Sequence, residues 1–314
     1  MLAHLADILL FQAGFNTAVV TAGTTLLGIA AGIVGVFVVL RRRALVADAV
    51  SHGTLPGVAL AFLGAVALGM DGRSLPVLLT GATATGILAV LAVQWIRDHT
   101  RLPEDAAIGT VLSVFFGAGI VLLSHIQTLP GGGQAGLETF LLGAAATMNR
   151  GEAVTIAVAA TAALAAVALL HKEFAVLAFD PDWAAARGWR TARLDLALLA
   201  LLVLVVVIGL KAVGLVLVIA LVIVPPATAR LWYGRIGPMT LLAGAFGGIA
   251  GWAGTAASAL FADLPAGAVI VLVAAGMFGA SLLLAPRRGA VATLLRTARQ
   301  RRALAGRAMR GEAA

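Results

Sequence analysis

The chain alternates long apolar runs with short polar connections. Nine runs are each about 19–26 residues long, enough for an α-helix to cross a hydrocarbon layer of about 30 Å. The run from Leu194 to Val224 is too long for one crossing, and we divide it at its charged residue, Lys211. The pattern therefore indicates an all-α polytopic membrane protein. Its transmembrane helices are predicted at 17–40, 46–69, 75–96, 106–126, 153–171, 192–210, 211–229, 238–260 and 264–285.

Two stretches fall outside this pattern. Residues 127–152 contain LPGGGQAG, which is typical of a flexible loop, and then LETFLLGAAATM, which is apolar but too short to span. We expect the second stretch to form a short external or re-entrant half-helix. The first residues, MLAHLADILLFQAGF, lack the basic start of a cleavable signal peptide and are expected to form a short amphipathic lead-in.

The composition agrees with a chain that is solvated mainly by lipid. It is 61% apolar and 11% charged, whereas soluble domains carry about 25% charged residues. There is no cysteine, which excludes disulfides and thiolate metal sites. The sequence contains no GxxxxGK[ST], HExxH or GxSxG motif, so we expect no enzymatic activity and no hydrolysis of ATP by this chain itself.

The distribution of basic residues predicts the orientation. Arginines and lysines concentrate in the connections after the first, third, fifth and seventh predicted helices and in the tail, which the positive-inside rule places in the cytoplasm, with the N-terminus outside. The tail from Arg287 holds eight arginines and one glutamate, so most of the chain's net charge of +8 lies in the tail. We divide the chain into a transmembrane domain, residues 1–286, and a basic cytoplasmic tail, residues 287–314. We expect this tail to lie on anionic membrane lipid, and we expect no nucleic-acid partner.

Two ionisable residues lie inside the second predicted helix. Asp48 and His52 are four residues apart, so both project from one face of a helix. His52 lies about 13 Å beyond Arg43 at helical rise, near the middle of the membrane, where a carboxylate needs a partner or a wet cavity. An oxygen and an imidazole nitrogen at this spacing suit a divalent metal such as zinc or manganese. An Asp–His pair that neutralises itself between helices explains the spacing equally well.

Prolines mark two further positions. Pro56 has no N–H to donate to the carbonyl of His52, which would leave that oxygen free beside the pair. In VIVPPATAR, two prolines are expected to disrupt the last turns of the seventh helix and leave carbonyls unpaired. Thr228 would then face a pathway through the bundle. The alternative is a plain end of the helix.

The sequence FDPDWAAARGW lies in the longest of the connections assigned to the cytoplasm. Asp180 suits a helix N-cap, Pro181 the first helical position and Gly188 the end of the helix. These signals predict a helix of about two turns that carries Trp183. The helix is either a docking element for a cytoplasmic partner or an ordinary amphipathic helix in a loop.

Several stretches together resemble the zinc/manganese-type ABC transporter permease family. In order they are RRRALVADAVSHGTLPGVALAFLG, PEDAAIGTVLSVFFGAG, FDPDWAAARG, KAVGLVLVIALVIVPPATAR and DLPAGAVIVL, and they cover most of the chain in the family's order. The family often has glycine where this chain has Ala47, a change expected to affect helix packing more than ligation. The resemblance implies the fold of a type II ABC importer permease. It also implies a homodimer of two permease copies, two cytoplasmic ATPase subunits and an external metal-binding protein.

The resemblance also implies roles for particular residues. Asp48 and His52 match the family's Asp-x-x-x-His pair, which faces the translocation path. Coupling to the ATPase is expected at Asp180, Pro181, Asp182 and Trp183. The implied function is import of manganese, zinc or iron across a bacterial plasma membrane. The metal ion is then cargo, and no permanently bound cofactor is expected.

Other functions remain open at this stage. A permease for metal chelates of the siderophore or cobalamin type would use a related architecture, but a pair of metal-ligating side chains argues against it. An ion-coupled secondary transporter with Asp48 as a proton site would need no ATPase. An intramembrane hydrolase is disfavoured because no motif for a nucleophile or a metalloprotease is present.

Overall fold

A computed structural model describes residues 15–129, 148–260 and 264–294. This part of the chain contains the twelve α-helices given next, further helical residues at 290–294, and no strand. The helices are α1 (Phe15–Leu40), α2 (Ala44–Gly53), α3 (Leu55–Ala67), α4 (Leu75–His99), α5 (Glu104–Thr128), α6 (Arg150–Leu169), α7 (His171–Phe179), α8 (Pro181–Ala186), α9 (Thr191–Val213), α10 (Leu215–Trp232), α11 (Ile236–Leu260) and α12 (Ala266–Leu284). Nine spans within the described residues are long and apolar enough to cross a membrane, with α2 and α3 counted together. The all-α polytopic fold predicted from the sequence is therefore confirmed.

Three expectations fall wholly or largely outside the described residues. They are the amphipathic lead-in before Phe15, the half-helix within LETFLLGAAATM, and the basic tail, which is described only as far as Leu294. The described chain resumes at Met148, and Asn149 begins α6 with a capping box. Its side chain accepts a hydrogen bond from the Glu152 N–H at 2.9 Å, and the Glu152 carboxylate accepts from the Asn149 N–H at 3.1 Å.

The division of the long apolar run at Lys211 is wrong by three residues. Helix α9 continues through Lys211 to Val213, and the break falls at Gly214, whose φ is +87°. Lysine is a good helix former, whereas a positive φ is readily adopted only by glycine. The residue that can turn the chain therefore sets the boundary, and the charged residue does not.

The prolines of the seventh span do not disrupt its last turns. Helix α10 contains Pro225 and Pro226 and continues to Trp232. Pro226 has no N–H for the carbonyl of Val222, and this oxygen lies against Gly35 of α1, where a Cβ would be only 2.0 Å away. Close contact with a neighbouring helix accommodates the freed carbonyl, so the helix passes through both prolines.

Helix α1 lies at the centre of the bundle, packed against α6, α9, α10 and α11. Its closest neighbour is α11. A Cβ on Gly28 would lie 2.1 Å from the carbonyl oxygen of Gly247, and a Cβ on Gly247 would lie 2.0 Å from that of Gly28. Beside this crossing the hydroxyls of Thr24 and Thr255 are hydrogen-bonded at 2.9 Å. Small residues allow this approach of two backbones in lipid, where packing and hydrogen bonds hold helices together.

Candidate functional site

The second predicted span is two helices, and the break lies next to the candidate metal pair. Helix α2 ends at Gly53, Thr54 separates the helices, and Pro56 is the second residue of α3. The Thr54 hydroxyl donates to the carbonyl of Ser51 at 2.6 Å, and its N–H donates to that of Val50 at 3.1 Å. A proline suits the first turn of a helix because its missing N–H has no partner there. The span predicted over 46–69 is observed as one candidate span, Ala44–Ala67, with a junction at Thr54 and Pro56 in the first turn of α3.

Asp48 and His52 share one face of α2 and contact each other. The His52 Nδ1 atom lies 3.1 Å from the carboxylate oxygen Oδ1 of Asp48 and 3.1 Å from the Asp48 carbonyl oxygen. The side chains are 37% and 24% exposed, so the pair borders open space and is not sealed in the core. The sequence-based expectation that the two residues lie together is confirmed. Their role in holding an ion remains a proposal.

This geometry determines which donor atoms the pair can offer. In the tautomer with the proton on Nδ1, His52 donates to the carboxylate and carbonyl oxygens of Asp48, and Nε2 is the nitrogen with a lone pair. Metal-ligating histidines usually donate their other ring N–H to a carboxylate or a carbonyl, and this contact orients the ring. Asp48 also keeps its second carboxylate oxygen, Oδ2, for a ligand. One imidazole nitrogen and one carboxylate oxygen of the pair are thus outside the contact between the two side chains, and both are atoms that could bind a cation.

Phe116 of α5 holds the other side of the His52 ring. The two ring centroids are 5.1 Å apart and the rings meet edge to face, with an interplanar angle of 76°. Such contacts fix the orientation of an aromatic ring. Phe116 was not predictable as a neighbour of His52, because an aromatic residue in an apolar helix carries no signal of its own.

Thr228 is buried within α10. It is 1% exposed in α10, and its hydroxyl donates to the carbonyl of Val224 at 2.7 Å. The structure gives no contact between Thr228 and the Asp48–His52 pair. Among the described residues, no group of three or more histidine, aspartate or glutamate side chains could hold a metal. The described part of one chain thus contributes a pair of side chains and no complete coordination shell.

The helix predicted in FDPDWAAARGW is confirmed as α8. The Asp180 carboxylate accepts a hydrogen bond from the Trp183 N–H at 2.9 Å, and Pro181 occupies the first position. At the other end Gly188 has φ +81°, its N–H donates to Ala185, and the Trp189 N–H donates to Ala184. This is the hydrogen-bond pattern of a Schellman motif. The sequence signals for the start and the end of the helix thus act as expected.

Two aromatic side chains are exposed at and beside α8. Trp183 is 46% exposed and Phe179, at the end of α7, is 69% exposed. The Arg187 guanidinium lies 4.9 Å from the centre of the Trp183 ring, a cation–π distance. Asp182 is exposed in the first turn, and Ala184 is buried against the bundle. Helix α8 is anchored on one side and presents an aromatic residue on the other.

Comparison with known proteins places these features in context. Residues 15–285 match the model of a family described as the ABC 3 transport family. The chain is 42% identical over 288 residues to the manganese transport system membrane protein MntC of Bacillus subtilis, covering 91% of this chain and 65% of that protein. It is 39% identical over 281 residues to the zinc transport system membrane protein TroC of Treponema pallidum, covering 89% and 92%. The structure of PsaBC from Streptococcus pneumoniae in complex with Fab superposes with a TM-score of 0.78 at 30% identity, covering 92% of this chain and 98% of that one.

Proposed function

Because the chain belongs to the ABC 3 transport family, we propose that it is the membrane-spanning permease subunit of an ATP-driven importer of divalent transition metal ions. The cargo is manganese, zinc or iron, and the names of the similar proteins favour the first two. The ion is delivered by an external binding protein and passes through a multi-pass permease in a bacterial plasma membrane. The N-terminus lies outside and the C-terminus in the cytoplasm, as the arginine distribution predicts.

The observation that carries this proposal is the orientation of His52 by Asp48 on an open face. Nitrogen and oxygen donors at this spacing suit manganese and zinc. Two protein ligands bind a cation weakly, and transport requires a site that an ion can leave. A second copy of the chain would bring the number of donors to four if the pairs face each other.

The proposed partners are an ATPase subunit at α8, membrane lipid at the basic tail and a second copy of the permease. We place α7 and α8 in the cytoplasm, where α8 docks on an ATPase subunit through Trp183. The basic tail after Arg287 lies on anionic lipid. Hydrolysis of ATP belongs to the separate ATPase, so the permease is not itself an enzyme. A second permease copy completes the transporter.

Two other transport functions are weaker. A chelate permease does not need a pair of metal-ligating side chains on an open face, and Asp48 and His52 supply one. A secondary transporter would use Asp48 as a proton site, with no role for the exposed aromatic surface of α8. The ATP-driven importer uses both features.

Metal accumulation in cells tests the function. The permease, with its ATPase and binding protein, is expressed in a host that lacks its own manganese and zinc importers. We expect growth and cell-associated manganese or zinc to be restored, and an inactive ATPase to abolish the effect. If cells with the complete transporter accumulate none of manganese, zinc and iron, the proposed cargo is wrong.

Replacement of Trp183 by alanine is expected to weaken association with the ATPase. Aromatic residues that fill a pocket on a partner contribute roughly 2 kcal/mol or more, about 30-fold in affinity. Co-purification of the ATPase with the permease measures this effect. Trp95→Ala is the matched control, because Trp95 is also exposed, at 61%, but lies at the end of α4.

The same surface can be located by cross-linking, because the chain contains no native cysteine. A single Ala185→Cys is expected to cross-link to the ATPase in the full complex. The docking proposal fails if this position labels freely in the complex while Trp183→Ala transports normally.

A further inference from the structure

A cluster of charged side chains is buried at the end of the bundle where α1 ends. The carboxylate of Asp195 in α9 contacts Arg43 and lies 3.2 Å from Nη2 of Arg41 and 3.9 Å from Nη1 of Arg97. The Nε atom of Arg43 lies 2.9 Å from the carboxylate of Glu104. Arg43 and Asp195 are each only 5% exposed. The pattern of basic residues predicts these arginines in polar connections at the membrane surface, and their burial with Asp195 differs from that expectation.

The cluster joins segments that are far apart in the sequence. Its members belong to the end of α1, the residue before α2, the end of α4, the start of α5 and the start of α9. Arg41 also donates through Nη1 to the carbonyl of Leu177 in α7, at 3.0 Å. Asp195 lies in the first turns of α9, soon after α8 ends at Ala186. The cluster is thus bonded directly to α7, the helix that immediately precedes α8 and its Trp183.

A left-handed backbone conformation at Arg42 brings Arg41 and Arg43 to the carboxylate of Asp195. Arg42 has φ +60°, the only positive φ of a non-glycine residue among the described residues. The N–H of Arg42 donates to Val39, and that of Arg43 donates to Val38, both at 3.0 Å. This turn ends α1 and reverses the chain, so that Arg41 and Arg43 flank Asp195. A conformation that costs roughly 1–2 kcal/mol for an L-residue persists only where the surroundings determine it.

Stability alone is a poor explanation for such a cluster. The desolvation of buried charges offsets most of their attraction, and well-packed apolar residues are often at least as stabilising. Charged groups with several partners do, however, require one relative arrangement of the helices that carry them. The helices in question are α2, which carries Asp48 and His52, α5, which carries Phe116, and the α7–α9 segment.

We propose that Asp195 links the movement of the α7–α8 segment to the walls of the metal pathway, an inference that rests on the proposed function. Arg43 is the central contact, because it bonds Asp195 through Nη1 and Glu104 through Nε. It immediately precedes α2, the helix that bears the Asp48–His52 pair, while Glu104 begins α5, which holds the His52 ring through Phe116. A displacement of α8 by the ATPase therefore reaches both sides of His52. Asp195 is a positioning residue and does not contact the ion.

The test measures hydrolysis, conformation and uptake in the same proteoliposomes that contain the full complex. The cysteine-free chain receives a fluorescent label at Leu60→Cys, an exposed position on α3, which follows the pair. In the otherwise unchanged chain we expect ATP to alter the emission of the label. With Asp195→Asn the ATPase rate is retained, whereas the response of the label and manganese or zinc uptake fall about tenfold, within the range of coupling between sites. Asp105→Asn is the matched control, an exposed carboxylate next to Glu104, and it keeps the full response.

Each outcome decides the proposal. It is overturned if Asp195→Asn keeps the label response, or if hydrolysis, response and uptake all fall in proportion. If Asp195→Asn does not assemble, Arg43→Lys is used, because it keeps the charge but cannot bridge Asp195 and Glu104 in the same way. Loss of its label response with hydrolysis retained supports the link, and an unchanged response overturns it. If the unsubstituted complex responds to ATP but accumulates no metal, the proposed cargo fails and the label response alone decides the link.

Discussion

Replacing Asp48 or His52 by alanine is expected to reduce metal uptake to background while leaving assembly with the ATPase intact. His52→Ala removes the nitrogen donor, and Asp48→Ala removes both an oxygen donor and the contact that orients the ring. Losses of this kind typically cost about 10–100-fold in metal affinity. ATP-driven uptake of radioactive manganese or zinc measures the effect, and co-purification of the ATPase checks assembly.

Ser51→Ala is the matched control for both variants. Ser51 lies on the same helix, but it is buried and its hydroxyl donates to the Ala47 carbonyl at 2.8 Å. We expect this variant to transport normally. Asp48→Asn separates the two roles of the carboxylate, because the amide oxygen can still accept from His52 but carries no charge. Near-normal uptake by both alanine variants would remove the pair from the transport path.

The second large effect concerns folding, at the crossing of α1 and α11. Gly28→Ala places a methyl group 2.1 Å from the carbonyl oxygen of Gly247, so the two backbones must separate. We expect a loss of stability near the upper end of the usual range for overpacking, about 3 kcal/mol. The hydrogen bond between Thr24 and Thr255 beside the crossing would also be strained. The yield and the apparent Tm of the detergent-solubilised protein measure this loss.

Gly276→Ala provides the control for this substitution. Gly276 lies inside α12, and apart from its chain neighbours and the nearby backbone of its own helix nothing lies within 4 Å of the position that its Cβ would take. Alanine at such a position removes the entropic cost of glycine without a clash, so we expect an unchanged or slightly higher Tm. Equal Tm values for the two variants would show that α1 and α11 do not cross as closely as described.

Periodicity and length were sufficient to predict most of the fold. The nine predicted apolar runs correspond to nine candidate spans in the part of the chain that the structure describes, because the hydrocarbon layer sets the length of a spanning helix. The ends of α8 were predictable for a local reason: Asp180, Pro181 and Gly188 act through hydrogen bonds and φ angles within a few residues. The Asp48–His52 contact was predictable because four residues make about one helical turn.

Features that depend on neighbouring helices were not predictable in the same way. Helix α10 passes through Pro225 and Pro226 because Gly35 of another helix accommodates a freed carbonyl. Phe116 approaches His52 through the packing of α5 on α2. The burial of Arg43 requires the carboxylates of Glu104 and Asp195, which lie far along the chain. For the burial of Arg43, the available signal was Asp195 itself, an acidic residue near the start of an apolar run.

Uptake by purified proteoliposomes is the most direct test of the central claim, which is that ATP drives a divalent metal past the Asp48–His52 pair. The vesicles contain the permease, the ATPase and the binding protein, and they are prepared with or without ATP. The manganese and zinc that accumulate inside the vesicles are then measured. We expect accumulation only with ATP, and none with His52→Ala although ATP is still hydrolysed. Accumulation that needs no ATP and follows a proton gradient, or full accumulation with His52→Ala, would contradict the claim.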